Sequence, residues 1–198
     1  MHLPPRHRTL DPDFVLEAYT AGFFPMADPK SGEISWYSPD PRTVLPLAQF
    51  RIPRSLRTIV RRNVFELRIN TAFEQVIAGC SLREETWISE DVKDVFLALH
   101  KMGFAHSVEA WRSGNLAGGL YGLAIRGAFF GESMFSIFPN SSKVALVHLV
   151  RQLCVKKFDL LDVQFMTKHL AGFGAKEIPR SSYMKTLAKA LRSRSVFV

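Results

Sequence analysis

Apolar and polar residues alternate in some stretches of this chain and recur every three or four positions in others. Residues 64–70 alternate with period two, which is the pattern of a strand with one buried face. Residues 51–63 show the helical period, with Leu56 and Ile59 on the face opposite the arginines. This second stretch predicts a helix that begins after Pro53.

The same patterns divide the rest of the chain into helices and strands. They predict further helices at 11–22, 71–79, 90–102, 140–158, 167–174 and 181–193. They predict further strands at 105–112, 116–125, 128–135 and 160–165, with the middle two forming a hairpin. Residues 23–42 contain four prolines, so we expect mainly a loop there, with room for one strand. This order of elements predicts an α+β domain with a mixed central sheet, after a soft boundary near residue 40.

The strand at 160–165 carries two polar residues among apolar ones. Asp162 and Gln164 lie two positions apart and point to the same face, while Val163 and Phe165 point to the other. A buried carboxylate is costly unless it is paired or hydrogen-bonded. One explanation is a hydrogen-bond network that fixes the strand, and the other is a face that lines a cavity for a polar substrate.

Glu132 poses the same problem in the strand at 128–135. It can pair with a nearby arginine such as Arg126, or it can hold the amine of a cationic substrate. The helix at 140–158 has an apolar stripe that is either plain core or the wall of a small-ligand pocket. This stripe consists of Leu146, Leu149, Val150 and Leu153.

The charge of the chain suggests a polyanionic partner without requiring one. Lys and Arg number 26 against 18 Asp and Glu, which gives a net charge of +8 over 198 residues. Six arginines and one glutamate lie between residues 51 and 68, and they form either a solvated surface or a phosphate-binding face. Trp36, Tyr37 and Trp87 fall in loops, where they can stack on unpaired bases or fasten a small domain onto a large one.

Several function classes lack their signatures. There is no phosphate-binding glycine loop of the P-loop or dinucleotide type, and no zinc spacing, so we predict no metal site. The two cysteines make no disulfide framework. We find no signal peptide and no apolar run that is long enough to span a bilayer, and we expect a cytoplasmic protein with no membrane partner.

Eight motifs in series resemble one family. They are "FFP…WYSPDPR" (23–42), "EETWIS" (84–89), "GFAHSVEAW" (103–111), "GGLYGLA" (118–124), "FFGESMFS" (129–136), "SSKVAL" (141–146), "LLDVQF" (160–165) and "HLAGFGAKEIPR" (169–180). Together they resemble the leucyl/phenylalanyl-tRNA–protein transferases of bacteria. The chain departs from the family pattern at Met26, where many relatives have Trp, and this affects contacts of the small domain rather than the chemistry.

The resemblance implies a small N-terminal domain (1–40) followed by a GNAT-like aminoacyltransferase domain (41–198). The implied activity moves Leu or Phe, and less often Met, from aminoacyl-tRNA to acceptor proteins with N-terminal Arg or Lys. This addition marks the acceptors for degradation in the N-end rule pathway. "FPNSSK" (138–143) stands where GNAT acetyltransferases carry the glycine-rich turn for coenzyme A, so no cofactor is expected. A monomer is the family expectation.

The resemblance also implies a catalytic group of three residues. Glu132 would contact the amino group of the aminoacyl moiety, and Gln164 would hydrogen-bond the attacking amine or the ester. Asp162 would orient Gln164 or attract the cationic side chain of the acceptor.

The implied binding residues are more numerous. The apolar pocket for the donor side chain would comprise Leu120, Phe129, Met134, Leu146, Leu149, Leu153 and Leu161. Trp87 would stack near the terminal adenosine, and Trp36 is a second substrate-binding candidate. The tRNA acceptor stem would bind to Arg54, Arg57, Arg61 and Arg62.

Two rival hypotheses come from other classes. An acetyl-CoA-dependent N-acetyltransferase is disfavoured by the missing glycine-rich turn. A non-catalytic RNA-binding module suits the basic helix but leaves Glu132, Asp162 and Gln164 without a role.

Overall fold

The computed structural model describes residues 10–82 and 86–198, which form seven helices and nine strands with one short 3-10 turn. The helices are α1 (Pro12–Thr20), α2 (Arg54–Arg61), α3 (Phe73–Ser81), α4 (Glu90–Lys101), α5 (Ser141–Val155), α6 (Lys168–Ala171) and α7 (Arg180–Ala190). The strands are β1 (Phe24–Ala27), β2 (Ile34–Tyr37), β3 (Arg42–Val44), β4 (Glu66–Ile69), β5 (Ala105–Arg112), β6 (Asn115–Ile125), β7 (Ala128–Ser136), β8 (Leu160–Gln164) and β9 (Lys176–Ile178).

The larger of two sheets contains seven strands in the order β4-β5-β6-β7-β8-β3-β9. Its strands pair antiparallel except β7 and β8, which are parallel. A parallel pair needs a long crossover, and α5 supplies it. The predicted α+β domain with a mixed sheet is therefore confirmed.

Helices cover both faces of this sheet. One core includes Tyr19 of α1, Phe96 of α4 and Tyr183 of α7, and the other includes Leu56 of α2 and Leu149 of α5. Each face of the sheet is thus buried, as expected for a sheet with helices on both sides.

The segment 23–42 differs from its sequence prediction. It forms the two-stranded sheet of β1 and β2, and Arg42 already begins β3 in the large sheet. The expectation of mainly loop with one strand was wrong, because proline count alone does not report pairing between short strands. Proline is tolerated at edge positions, and Pro25 lies in β1 of this two-stranded sheet.

Strand β9 was not predicted at all. It has three residues, and only Ile178 among them is partly buried. A strand this short shows no readable alternation, and it forms because β3 offers it a free edge.

Within the described ranges, the structure has no helix of the length and apolar character that crossing a membrane requires.

Candidate functional site

Strands β7 and β8 pair over only three residues each, and a cavity opens where they part. Ala128–Phe130 pairs with Leu160–Asp162, and no pairing continues beyond. The cavity has a volume of about 370 Å³ and lies at the carboxyl ends of both strands, beside the first half of α5. Its lining is formed by Trp87, Leu120, Tyr121, Gly131, Glu132, Ser133, Met134, Leu146, Leu149, Leu161, Val163, Gln164, Phe165, Thr167, His169 and Leu170.

A bulge in β7 directs Glu132 into this cavity. In the β6–β7 pair, Tyr121 lies opposite Ser133 and Gly122 lies opposite Gly131. Glu132 is therefore an extra residue in β7, with no residue of β6 opposite it. Bulges of this kind re-aim a side chain and are frequent beside active sites. Gly122 permits the bulge, since a Cβ atom at this position would collide with the Phe130 carbonyl oxygen.

Glu132 is held by two groups and is almost inaccessible to solvent. Its carboxylate accepts hydrogen bonds from the Tyr19 hydroxyl (2.8 Å) and from Nε2 of Gln164 (3.1 and 3.2 Å). Of the two alternatives for Glu132, pairing with Arg126 was wrong, because Arg126 lies in the β6–β7 turn, away from the bulge. Burial raises the pKa of Glu132 to about 8, although both hydrogen bonds oppose the rise. A cationic amine in the cavity would favour the charged form of this group.

Gln164 ends β8 in an unusual backbone conformation. Its φ is 63°, in the left-handed region that non-glycine residues adopt rarely and mostly where the surroundings enforce it. Its backbone N–H donates to Oδ1 of Asp162 at 2.9 Å, and this bond helps to hold the conformation. The side chain can then reach across the gap to Glu132.

Asp162 lies behind the cavity wall, where it is fully buried. It accepts hydrogen bonds from Nε and Nη2 of Arg42 (2.7 to 3.1 Å) and from the Tyr183 hydroxyl (2.8 Å). Arg42 is 1% exposed, and its guanidinium also packs over the rings of Phe24 and Tyr183. Of the two explanations for Asp162 and Gln164, a hydrogen-bond network holds for Asp162, and a cavity face shared by both residues was wrong. The Gln164 backbone turns out of the regular strand, and the register between β3 and β8 shifts at this point.

The apolar residues predicted for the pocket divide into two groups. Five of them lie in the cavity lining: Leu120, Met134, Leu146, Leu149 and Leu161. Phe129 and Leu153 are fully buried in the core beyond the wall and do not reach the cavity. Trp87 lines the cavity, whereas Trp36 lies on the small sheet with its ring 5.2 Å from that of Phe14.

The basic helix α2 has one buried face and one charged face. Leu56 is 1% exposed and packs in the core under α5. The four predicted tRNA-binding arginines are exposed on the opposite side: Arg54, Arg57, Arg61 and Arg62. Within the described ranges no cluster of metal-ligating side chains occurs.

Three residues of this site were missed by sequence reasoning. Tyr19, Arg42 and Tyr183 are separated by 113, 120 and 21 residues from the carboxylates they bind. Periodicity carries no information about contacts of this range. The only signal was the position of Arg42 inside the "SPDPR" motif. His169 also lines the cavity.

Comparison with known proteins gives a consistent result. Residues 44–188 match the family model of the leucyl/phenylalanyl-tRNA protein transferase, and residues 8–40 match that of its N-terminal domain. A leucyl/phenylalanyl-tRNA–protein transferase from Chlorobaculum parvum is 52% identical over 188 residues, covering 93% of this chain and 97% of the relative. Proteins of the same name from Salinibacter ruber and Herpetosiphon aurantiacus are 50% and 48% identical, covering 92% and 96% of this chain and 80% and 99% of their own lengths.

A solved structure, that of L-PGS from Bacillus licheniformis, overlaps with 80% of this chain and 55% of its own. The sequence identity is 14% and the TM-score 0.43, which is too low to support an argument about fold or function.

Proposed function

Because this chain belongs to the leucyl/phenylalanyl-tRNA–protein transferase family, we propose that it moves Leu or Phe, and less often Met, to the N-terminal Arg or Lys of acceptor proteins. Aminoacyl transfer from tRNA to protein is the activity that the family name describes, and the chain is an aminoacyltransferase. The choice of donor and acceptor residues belongs to the proposal. So does the consequence, which is degradation of the acceptor through the N-end rule pathway.

The observation that carries the proposal is the bonded pair of Glu132 and Gln164 in a mainly apolar cavity. Apolar pockets with a few converging polar groups are the usual form of a small-ligand site. An aminoacyl ester of Leu or Phe has matching parts, since its side chain is apolar while its amino group and ester are polar.

We assign the donor side chain to the apolar wall and its amino group to Glu132. This part of the lining consists of Leu120 and Met134 from the sheet and Leu146 and Leu149 from α5. Trp87 also lines the cavity, and we assign it to stacking on the terminal adenosine.

The reaction joins the acceptor's α-amine to the ester carbonyl. A carbon–nitrogen bond forms, the bond between the carbonyl carbon and the ribose oxygen breaks, and the proton of the amine finally resides on that ribose oxygen. An α-amino group has a pKa of about 8, so about a tenth of it is already neutral at pH 7 and a weak base suffices. Gln164 orients the amine or the ester, and the placement of both substrates in one cavity supplies much of the rate. No step requires a cofactor.

Asp162 acts on this centre through Gln164. Its carboxylate is engaged by Arg42 and Tyr183 and is 0% exposed, so it has no route to an acceptor side chain. Its bond to the Gln164 backbone holds that residue in place. We therefore assign it a positioning role rather than contact with the acceptor.

We propose that α2 binds the tRNA acceptor stem through its four exposed arginines. Phosphate contacts of this kind are sequence-independent and depend on salt. The large sheet with its β7–α5–β8 crossover is the part that we propose to be GNAT-like, with 1–40 as the small N-terminal domain. Because tRNA and the proposed degradation pathway are cytoplasmic, we propose the same location for the protein.

A transfer assay tests the function directly. The protein is incubated with Leu-tRNA carrying labelled Leu and with a peptide that begins with Arg. Label should enter the peptide, and the same peptide beginning with Glu should remain unlabelled. Label that enters neither peptide, from a folded protein, would refute the proposal. Consumption of acetyl-CoA with acetylation of the peptide would instead identify an acetyltransferase.

A further inference from the structure

Lys143 lies one helical turn before the part of α5 that walls the cavity. Leu146 and Leu149 line the cavity, and Lys143 precedes them at a spacing of three residues. Residues at this spacing share one side of a helix. The Lys143 side chain, partly exposed, therefore stands at the outer end of the apolar wall.

Lys168 stands on a second part of the rim, formed by the start of α6. It is exposed and begins α6, between Thr167 and His169, which both line the cavity. Burial lowers the pKa of His169, and the charge of Lys143 lowers it further, so the two rims lie within electrostatic reach of each other. Among the described residues, neither lysine has a carboxylate within ion-pair distance.

The α6 rim continues toward α2. The turn that follows α6 packs against the segment that leads into α2, where the rings of Phe50 and Phe173 stack at 5.5 Å. The backbone N–H of Arg51 also donates to the Phe173 carbonyl oxygen at 3.0 Å. Positive charge thus extends from the arginines of α2, past Lys168, to the mouth of the cavity.

We propose that Lys143 and Lys168 bind the phosphates of the single-stranded CCA end of aminoacyl-tRNA as it enters the cavity. This assignment rests on the proposed function and adds to it a second, separate nucleic-acid contact. The ester to be cleaved sits on the terminal ribose, so the phosphates just before it must pass the cavity mouth. Two ammonium groups at the mouth, without a carboxylate partner among the described residues, suit them.

The other substrate does not fit these two lysines. The proposed acceptor carries a protonated Arg or Lys side chain beside its amino group, and both lysines would repel it. An anionic chain is attracted by the same field and is guided from α2 to the cavity.

The test compares three donors of increasing length. Phenylalanyl-adenosine has no phosphate, phenylalanyl-CCA has two internucleotide phosphates, and Phe-tRNA has the whole acceptor stem. Three proteins are compared with the wild type: Lys143→Gln, Lys168→Gln, and an α2 variant with Ala at Arg57, Arg61 and Arg62. Lys156→Gln is the matched control for Lys143, since it is partly exposed and lies about 20 Å away at the other end of the same helix. Lys101→Gln, at the exposed end of α4, is the control for Lys168.

We expect each lysine variant to reduce the preference for phenylalanyl-CCA over phenylalanyl-adenosine by about two- to fivefold in kcat/KM. The slope of log kcat/KM against log salt for phenylalanyl-CCA should also fall by about 0.7 per lost contact. The α2 variant should keep the trinucleotide preference and lose rate with Phe-tRNA only. Lys156→Gln and Lys101→Gln should behave as the wild type.

Two outcomes would overturn the assignment. If Lys143→Gln and Lys168→Gln keep the wild-type preference for the trinucleotide, the lysines do not contact these phosphates. If the variants instead change the KM of the acceptor peptide equally with all three donors, the two lysines lie where the acceptor binds. In both cases wild-type transfer remains intact, so the proposed function stands while this inference fails.

Discussion

Replacing Asp162 with Asn tests whether this residue stabilises the fold through its buried ion pair or contacts the acceptor substrate. Asp162 accepts bonds from Arg42, from the Tyr183 hydroxyl and from the backbone of Gln164. The amide keeps the size of the side chain but turns one acceptor into a donor that faces these groups. The guanidinium of Arg42 then stays buried without a countercharge.

The magnitude follows from burial. Removing one partner of a buried ion pair costs about 3–5 kcal/mol. An unfolding entropy of about 2.1 cal/mol/K per residue gives about 0.4 kcal/mol/K for the 198 residues. We therefore expect Tm to fall by about 7–12 °C.

Two measurements on the same protein complete this test. Thermal unfolding gives Tm, and the transfer assay is run well below the variant's transition. Transfer should be slower because Gln164 loses its anchor, while the KM of the acceptor peptide should stay unchanged. Asp159→Asn is a matched control, because it makes the same substitution in a pair whose lysine is 76% exposed, and it should cost less than about 3 °C.

One result would refute this reasoning. An Asp162→Asn protein with wild-type Tm and a sharply raised peptide KM would show that Asp162 meets the acceptor. The ion pair with Arg42 would then contribute little to the fold, and the positioning role would have to be abandoned.

Five further predictions concern the cavity and the basic helix. Since burial raises the pKa of Glu132 from its usual 4.5 to about 8, the stability from its native-state protonation is complete below pH 4.5 and is lost as pH rises through 8. Between pH 4.5 and 8, the Tm of the wild type should therefore fall more than the Tm of Glu132→Gln. Parallel curves of Tm against pH for the two proteins would contradict the burial argument. Gly131→Ala should fold normally, because its Cβ would lie 3.5 Å from the nearest atom, yet lose transfer about tenfold as the methyl group narrows the gap between β7 and β8. Gly122→Ala should instead lower Tm by several degrees through collision with β7, and an equal Tm for the two variants would count against the bulge geometry. The α2 variant defined above should flatten the salt dependence of tRNA binding by a slope of about 0.7–0.9 per lost contact, and an unaltered slope would make this face merely solvated. Leu- and Phe-tRNA should be used well ahead of Ile-tRNA. Because one methylene is worth only about 1–3 kcal/mol in such a pocket, the preference must come from steric exclusion of the β-branched side chain, and equal rates would refute the pocket assignment.

Sequence patterns were sufficient for the elements with long, regular periods. The alternation over 64–70 predicted β4, and the helical stripe over 140–158 predicted α5. They also singled out Glu132, Asp162 and Gln164, because a polar residue inside an apolar strand has a cost that must be met by some partner. This cost can be recognised from the sequence alone, because it depends only on the residues next to the polar one in the chain.

The partners themselves were decided only by the tertiary structure. Arg42 and Tyr183 reach Asp162 because β3 and α7 lie beside β8, and Tyr19 reaches Glu132 because α1 packs on the sheet face next to the bulge. These contacts depend on strand order, which no local period encodes. The sequence thus determined that three polar groups would be buried in the sheet. The fold decided that Glu132 and Gln164 face the cavity while Asp162 is neutralised behind its wall, because one extra residue in β7 and a left-handed turn at the end of β8 re-aim the side chains.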